Sequence, residues 1–153
     1  MTAVTVGSEP VRQPEVRALL EQAWAYSGAL YPAESNHHID EAGLDQPEVG
    51  FFVARRGRRA LGCGAIVDEQ NGTGELKSLF VDPSARGLKI GRLILKAIEA
   101  HASHSMIKII RLETGIRQPE AIHLYESAGY ARRGPFGHYT DDPLSIFMEK
   151  TLG

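Results

Sequence analysis

The spacing of apolar residues changes period repeatedly along the chain, and each change predicts an element. Residues 2–8 alternate as a strand does, after which Val16, Leu19, Leu20, Ala23 and Trp24 recur at helical spacing. Residues 31–38 are polar and irregular, and Asp40 stands where the cap of a short helix through Leu44 belongs. Three extended runs follow at 50–54, 60–67 and 75–81, joined by an Arg-Gly-rich turn and by Asn71-Gly72-Thr73-Gly74. Connections this short predict an antiparallel meander. The helical period then returns, with Ile90, Leu93, Ile94, Ala97 and Ile98 on one stripe that ends near His101. A β-branched run covers 107–112. Pro119 suits the first turn of a helix whose inward residues are Ala121, Ile122, Tyr125 and Ala128, and Gly129 suits its left-handed stop. Segments 130–133 and 144–151 close the chain as strands. This order predicts a layered α+β fold: a central mixed, mostly antiparallel sheet with a strand-helix-strand unit in its middle, flanked by about four helices.

Composition narrows the picture without changing it. With 153 residues, 42% of them hydrophobic, the chain can fill one core, so residues 1–153 are expected to form a single domain. The 17 Lys+Arg and 19 Asp+Glu are interspersed and leave a net charge of -2, which gives a nucleic acid or a membrane surface no general handle. Arg55, Arg56, Arg58 and Arg59 surround Gly57 and fit a solvated hairpin turn better than a nucleic-acid patch. No segment approaches the ~20 apolar residues of a membrane span and the start lacks a targeting pattern, so a soluble, cytoplasmic protein is expected. Cys63 alternates with apolar neighbours as a packing residue does. The histidine pairs His37-His38 and His101-x-x-His104 lack further ligands at metal spacing, so no metal is expected.

The chemistry-bearing segment is Phe80-Val81-Asp82-Pro83-Ser84-Ala85-Arg86-Gly87-Leu88-Lys89-Ile90-Gly91, a strand that turns into an amphipathic helix. A helix start exposes unpaired N–H groups and the positive end of the helix dipole, and so forms an anion site. Gly87 and Gly91 would let a phosphate approach the main chain, and Arg86 adds a planar cationic fork. A Walker loop would need Gly-Lys-Ser/Thr, and a dinucleotide fingerprint would need Gly-x-Gly-x-x-Gly; neither is present.

The stretch from Glu75-Leu76-Lys77-Ser78-Leu79-Phe80-Val81 through Pro83 and Arg86-Gly87 to Ile90-Gly91 resembles the acetyl-CoA motif of the GNAT superfamily of N-acetyltransferases. Gln118-Pro119-Glu120-Ala121-Ile122-His123-Leu124-Tyr125-Glu126-Ser127-Ala128-Gly129-Tyr130 is similar to that family's second motif. The resemblance implies the GNAT fold and acetyl transfer from acetyl-CoA, as cosubstrate, to an amine by direct attack. A small-molecule amine is the expected acceptor. A protein N-terminus or lysine, and a non-catalytic CoA-binding module, are the alternatives. Relatives of this kind often form homodimers.

Residue by residue, the resemblance implies that Arg86, Gly87, Leu88, Lys89, Ile90, Gly91 and Arg92 hold the pyrophosphate. Leu79, Phe80 and Val81 would line the pantetheine arm, with Gln118 either on that arm or capping its helix. Lys89 departs from the family pattern by replacing its middle glycine, and an ordinary right-handed helical φ is expected there. Tyr125 matches the family's tyrosine beside the sulfur and is the candidate acid, although it also falls on its helix's inward stripe. Glu75 is the first candidate for the base and Glu113 the competing carboxylate. Strand alternation would put Glu75, Lys77, Leu79 and Val81 on one face. The acceptor walls are expected from Tyr31, Glu34 and His37 and from Phe136 and Tyr139 in a late turn.

Overall fold

The computed structural model describes residues 3–153, so Thr2, the first residue of the expected opening strand, lies outside the described residues. Strands β1 (Val4–Ser8), β2 (Val49–Arg56), β3 (Arg59–Asp68) and β4 (Thr73–Val81) pair antiparallel in turn, the meander that the short connections require. After β4 the chain crosses through helix α3 (Ile90–His104), three residues beyond the end expected from the stripe, and returns as β5 (Ile109–Gly115), parallel to β4. Strands β6 (Ala131–Arg133) and β7 (Ser145–Thr151) complete a sheet in the order β1-β2-β3-β4-β5-β7-β6. Helices α1 (Pro14–Leu30), α2 (Glu41–Leu44) and α4 (Pro119–Ser127) lie with α3 around this sheet, which makes the layered α+β architecture expected.

Two apolar cores flank the sheet. Ile90, Ile94, Leu95 and Ile98 of α3 and Tyr125 of α4 meet Leu61, Ile66 and Leu76 on one face. Val16, Leu19 and Leu20 of α1 meet Phe51, Val53, Cys63 and Ala65 on the other. The inward stripe of α3 includes Leu95, while Leu93 is exposed, because the helix turns residues 90, 94 and 98 squarely onto the sheet. It sits so close that a Cβ at Gly62 or Gly64 would come within about 3 Å of Ile90, Ile94 or Ile98 side chains. Cys63 is fully buried, and burial pushes its thiol up to about 12, consistent with packing.

Local sequence rules set the helix ends that matter for the site. Asp40 accepts from the Gly43 amide at 2.8 Å and caps α2. Helix α1 stops at Tyr31, which is extended because Pro32 follows it and disfavours the helical region. Gly129 takes φ 98° after α4, and the Tyr130 amide closes back on the Tyr125 carbonyl at 3.0 Å. Arg55 of the basic hairpin is drawn inward onto Glu9 and Glu15, at 2.8 and 3.0 Å, tying β2 to the start of α1. Among the described residues, no helix is long and apolar enough to cross a membrane.

Candidate active site

Strands β4 and β5 pair only over Thr73–Glu75 and Ile109–Arg111, then diverge. From Leu76 onward, the side of β4 that faces β5 therefore has no strand partner, leaving main-chain donors and acceptors in the middle of the sheet. The register of β4 on β3 also slips here: Lys77 opposes Ala65, but Phe80 opposes Cys63, so an extra residue is accommodated around Ser78, whose φ is 57°. This bulge reverses the face sequence. Leu79 and Val81 pack with Leu76 in the α3 core and Phe80 packs in the α1 core, so alternation from Glu75 does not carry through the strand as expected.

The splay opens a cleft of about 650 Å³ between β4, the start of α3 and α4, lined by Leu79, Phe80, Val81, Arg86, Gly87, Lys89, Ile90, Gly91, Arg92, Gln118 and Tyr125. Of the expected phosphate-turn residues only Leu88 is missing from its walls, being 40% exposed to solvent. Asp82 accepts from the Ser84 amide at 2.9 Å and shapes the short 3-10 turn Pro83–Ala85 that leads into the cleft. The two glycines differ in role. Gly87 has φ 86° with open space where a Cβ would be, whereas a Cβ at Gly91 would lie 3.1 Å from Leu124 of α4, so Gly91 serves close helix packing.

Lys89 is not in the helical conformation expected of it. It precedes the first helical residue with φ 59° and ψ 30°, left-handed backbone of the kind that the glycine of the resembled motif would adopt freely. For a non-glycine residue this costs roughly 1–2 kcal/mol, partly offset by the greater unfolded-chain entropy that glycine would bring. Lys89→Gly is therefore expected to stabilise the fold by about 0.5–1 kcal/mol, read as a higher urea midpoint at unchanged m-value.

A second cavity of about 140 Å³ adjoins the first, walled by Trp24, Tyr26, Tyr31, Ser35, His37 and Glu113 among others, and sharing Leu79, Phe80, Gln118 and Tyr125 with the cleft. Tyr125 thus stands at the junction. Its ring is buried against Tyr130 at 5.9 Å, and burial raises its hydroxyl well above the ordinary phenol range, with the Glu113 charge adding to the effect. Glu113 is half-buried at the diverging end of β5 and accepts from the Ser145 hydroxyl at 2.8 Å. Burial raises its carboxyl above the usual range, against smaller lowering effects from Ser145, His37 and Lys77.

The other carboxylate is placed differently. Glu75 is buried, lines neither space, accepts from the Tyr139 hydroxyl and forms an ion pair with the Lys77 ammonium at 3.3 Å. Tyr139 and Phe136, expected as acceptor walls, pack with Phe147 in a small apolar cluster and line neither space. Glu34 is exposed on its 3-10 turn and also stays outside. Tyr31 and His37 do line the cavity. The Tyr31 hydroxyl accepts from the Arg117 amide at 3.0 Å and reaches Gln118 Oε1 at 3.3 Å, so the Gln118 side chain is turned to Tyr31 and does not cap α4.

Trp24 and Tyr26 were not among the expected wall residues. Trp24 sits on the apolar stripe of α1, which hid its second role. Tyr26 could have been found as an aromatic residue that breaks that stripe, and it is 42% exposed at the mouth of both spaces.

One glycine holds this wall in place. A Cβ at Gly115 would fall 1.9 Å from the Tyr31 hydroxyl oxygen, so any side chain there evicts the ring. Gly115→Ala is expected to cost about 1–3 kcal/mol by overpacking and to disturb the smaller cavity selectively. Thermal unfolding would measure the first effect, and a crystal structure of the variant the second.

Comparison with known proteins agrees with this geometry. The acetyltransferase (GNAT) family matches residues 16–130. The chain is 48% identical over 153 residues to a protein of Azospirillum brasilense named IAA acetyltransferase, covering 99% of this chain and 100% of that one. A crystal structure from Klebsiella pneumoniae, of a protein named as an acyl-CoA N-acyltransferase, aligns with a TM-score of 0.83 at 36% identity, covering 98% of each chain. The PaiA N-acetyltransferase of Thermoplasma acidophilum, solved in complex with coenzyme A, shares the fold with a TM-score of 0.78 at 15% identity, covering 98% of this chain and 99% of that one.

Proposed function

Because the chain belongs to the GNAT family of acetyltransferases, we propose that it moves the acetyl group of acetyl-CoA to the primary amine of a small molecule, with Tyr125 as acid and Glu113 as base. The observation that carries this reading is the position of Tyr125 between a large cleft and a small cavity, with Glu113 as a carboxylate on the wall of the small one.

The larger cleft fits acetyl-CoA on three counts. Its floor is the unpaired side of β4, which suits an extended arm that pairs with main chain as a strand would. Its mouth is the start of α3, where N–H groups beside Gly87 suit phosphate oxygens. Arg86, Lys89 and Arg92 bring positive charge to the same place. When bound, acetyl-CoA supplies an activated thioester.

The chain's own groups then handle protons and position. An amine arrives protonated at neutral pH, and Glu113 takes its proton to free the attacking lone pair. Once the C–N bond has formed, the C–S bond breaks and Tyr125 gives its hydroxyl proton to the departing sulfur. The second nitrogen proton restores the tyrosine. No acyl-enzyme is needed, in keeping with the inert, buried Cys63. The small volume of the second cavity favours a free amine over a protein chain as acceptor.

Incubating the protein with acetyl-CoA and a panel of small amines, with a thiol reagent to report free CoA, tests the reading. The expected result is amine-dependent thiol release. Release that never exceeds the uncatalysed background with any amine would overturn it.

A further inference from the structure

We infer that the acceptor site selects amines that carry no carboxylate beside the amino group, because among the described residues its one lysine is ion-paired within the protein and the Glu113 carboxylate is its one unpaired charge. This rests on the acetyltransferase reading above and deepens it to a class of acceptor.

Lys77 lines the small cavity and is the natural partner for an acidic acceptor. An ammonium, however, has three donors and no more. Two of those of Lys77 go to the Tyr139 hydroxyl at 2.6 Å and the His37 carbonyl at 3.1 Å, and its charge is paired with Glu75 Oε2 at 3.3 Å. Tyr139 in turn donates to Glu75, so the three side chains form a closed ring with its charge cancelled. The ammonium side chain is only 17% exposed and the carboxylate 9%, so water does little to loosen the pair. This ring also fastens the acceptor wall: it grips the main chain at His37, and Ser35 on the same loop is tied to Asp142 at 2.6 Å.

What remains for the ligand is Glu113, whose only side-chain partner among the described residues is the neutral Ser145. The rest of the lining includes the aromatic rings of Trp24, Tyr26, Tyr31 and Tyr125. Such a wall attracts an ammonium through both the carboxylate and the aromatic faces. An α-amino acid brings its own carboxylate within a bond or two of the amine, beside Glu113, with no unpaired lysine or arginine among the described lining residues to receive it. Like charges set together in this way are strongly disfavoured.

The test compares three acceptors of one skeleton: phenethylamine, phenylalanine and phenylalaninamide. The amide adds the bulk of the carboxylate without its charge. For the wild-type protein, kcat/KM is expected to be on the order of 100-fold lower for phenylalanine than for phenethylamine, with the amide close to the amine. Freeing Lys77 should narrow that gap: Glu75→Gln removes its counter-charge and Tyr139→Phe removes an acceptor. Each variant is checked for folding by circular dichroism, and a tenfold or greater fall in the amine-to-acid ratio is expected in whichever remains folded.

Turnover of phenylalanine as fast as phenethylamine would overturn the inference while leaving the acetyltransferase reading intact. So would equal rejection of the amide, which would make size the cause. An unchanged ratio in the folded variants would also overturn it. Failure of every amine would instead remove the small-amine reading on which the inference stands.

Discussion

Replacing Tyr125 by Phe is expected to lower kcat by about 100-fold or more, the usual worth of a positioned proton donor, while the affinity for CoA stays within a few-fold of wild type. The separation follows from where the residue sits. Its ring forms part of the core and packs on Tyr130, and Phe preserves that contact. Only the hydroxyl is lost, and among the described residues it has no side-chain or main-chain hydrogen-bond partner whose loss would disturb the fold. Burial keeps that hydroxyl protonated throughout the neutral range, the state an acid needs. Steady-state kinetics with varied acetyl-CoA, alongside calorimetric titration with CoA, would measure the two quantities. A variant that turned over at the wild-type rate would remove Tyr125 from the reaction, and parallel loss of CoA affinity would make it a binding residue.

Glu113→Gln should have a comparable effect on rate and the opposite effect on stability. Loss of a general base costs on the order of 10²- to 10⁴-fold in kcat/KM at neutral pH. Wild-type activity should fall on the acid side with an apparent pKa above the usual carboxylate range, because Glu113 must be ionised and burial raises its folded-state pKa. The sign for stability follows from the same shift. A carboxyl that binds its proton more tightly when folded favours the native state below its ordinary pKa and loses that contribution as pH rises through the raised value. At pH 7 the ionised Glu113 is therefore a cost. The glutamine variant, which can still accept from Ser145, should melt higher than wild type at pH 7 and lose that advantage toward pH 4. Glu75→Gln is expected to leave the acidic limb in place, since Glu75 lies outside both spaces. If instead Glu75→Gln erased the limb and Glu113→Gln kept it, the roles assigned to the two carboxylates would be reversed.

Both predictions depend on geometry that residue spacing does not contain. Glu75 and Glu113 lie on neighbouring strands, and nothing in their separation along the chain says which one meets the cavity. The parallel pairing of β4 with β5 ends at Glu75 and Arg111, so Glu75 lies in the paired region while Glu113 is two residues into the opening. Tyr139 and Lys77 then close over Glu75 from a distant loop and from its own strand.

What the sequence determined by itself was local. Element order, the Asp40 cap, the proline start of α4, its Gly129 stop and the strand-turn-helix junction at the start of α3 all follow from period, capping and turn chemistry, which act over a few residues. That Tyr125 and the turn from Arg86 to Gly91 share a cleft was also legible, through two motifs read together. Tertiary structure decided the rest, because long-range packing can override local preference. The bulge at Ser78 reversed the faces of β4 after Lys77, a change invisible to alternation because an inserted residue leaves the sequence pattern intact. Close docking of α3 exchanged Leu95 for Leu93 in the core. The turn into α3 forced Lys89 into left-handed backbone. The choice between two carboxylates, and the engagement of Lys77 that shapes the acceptor wall, came only from where the sheet splays and which side chains close over its root.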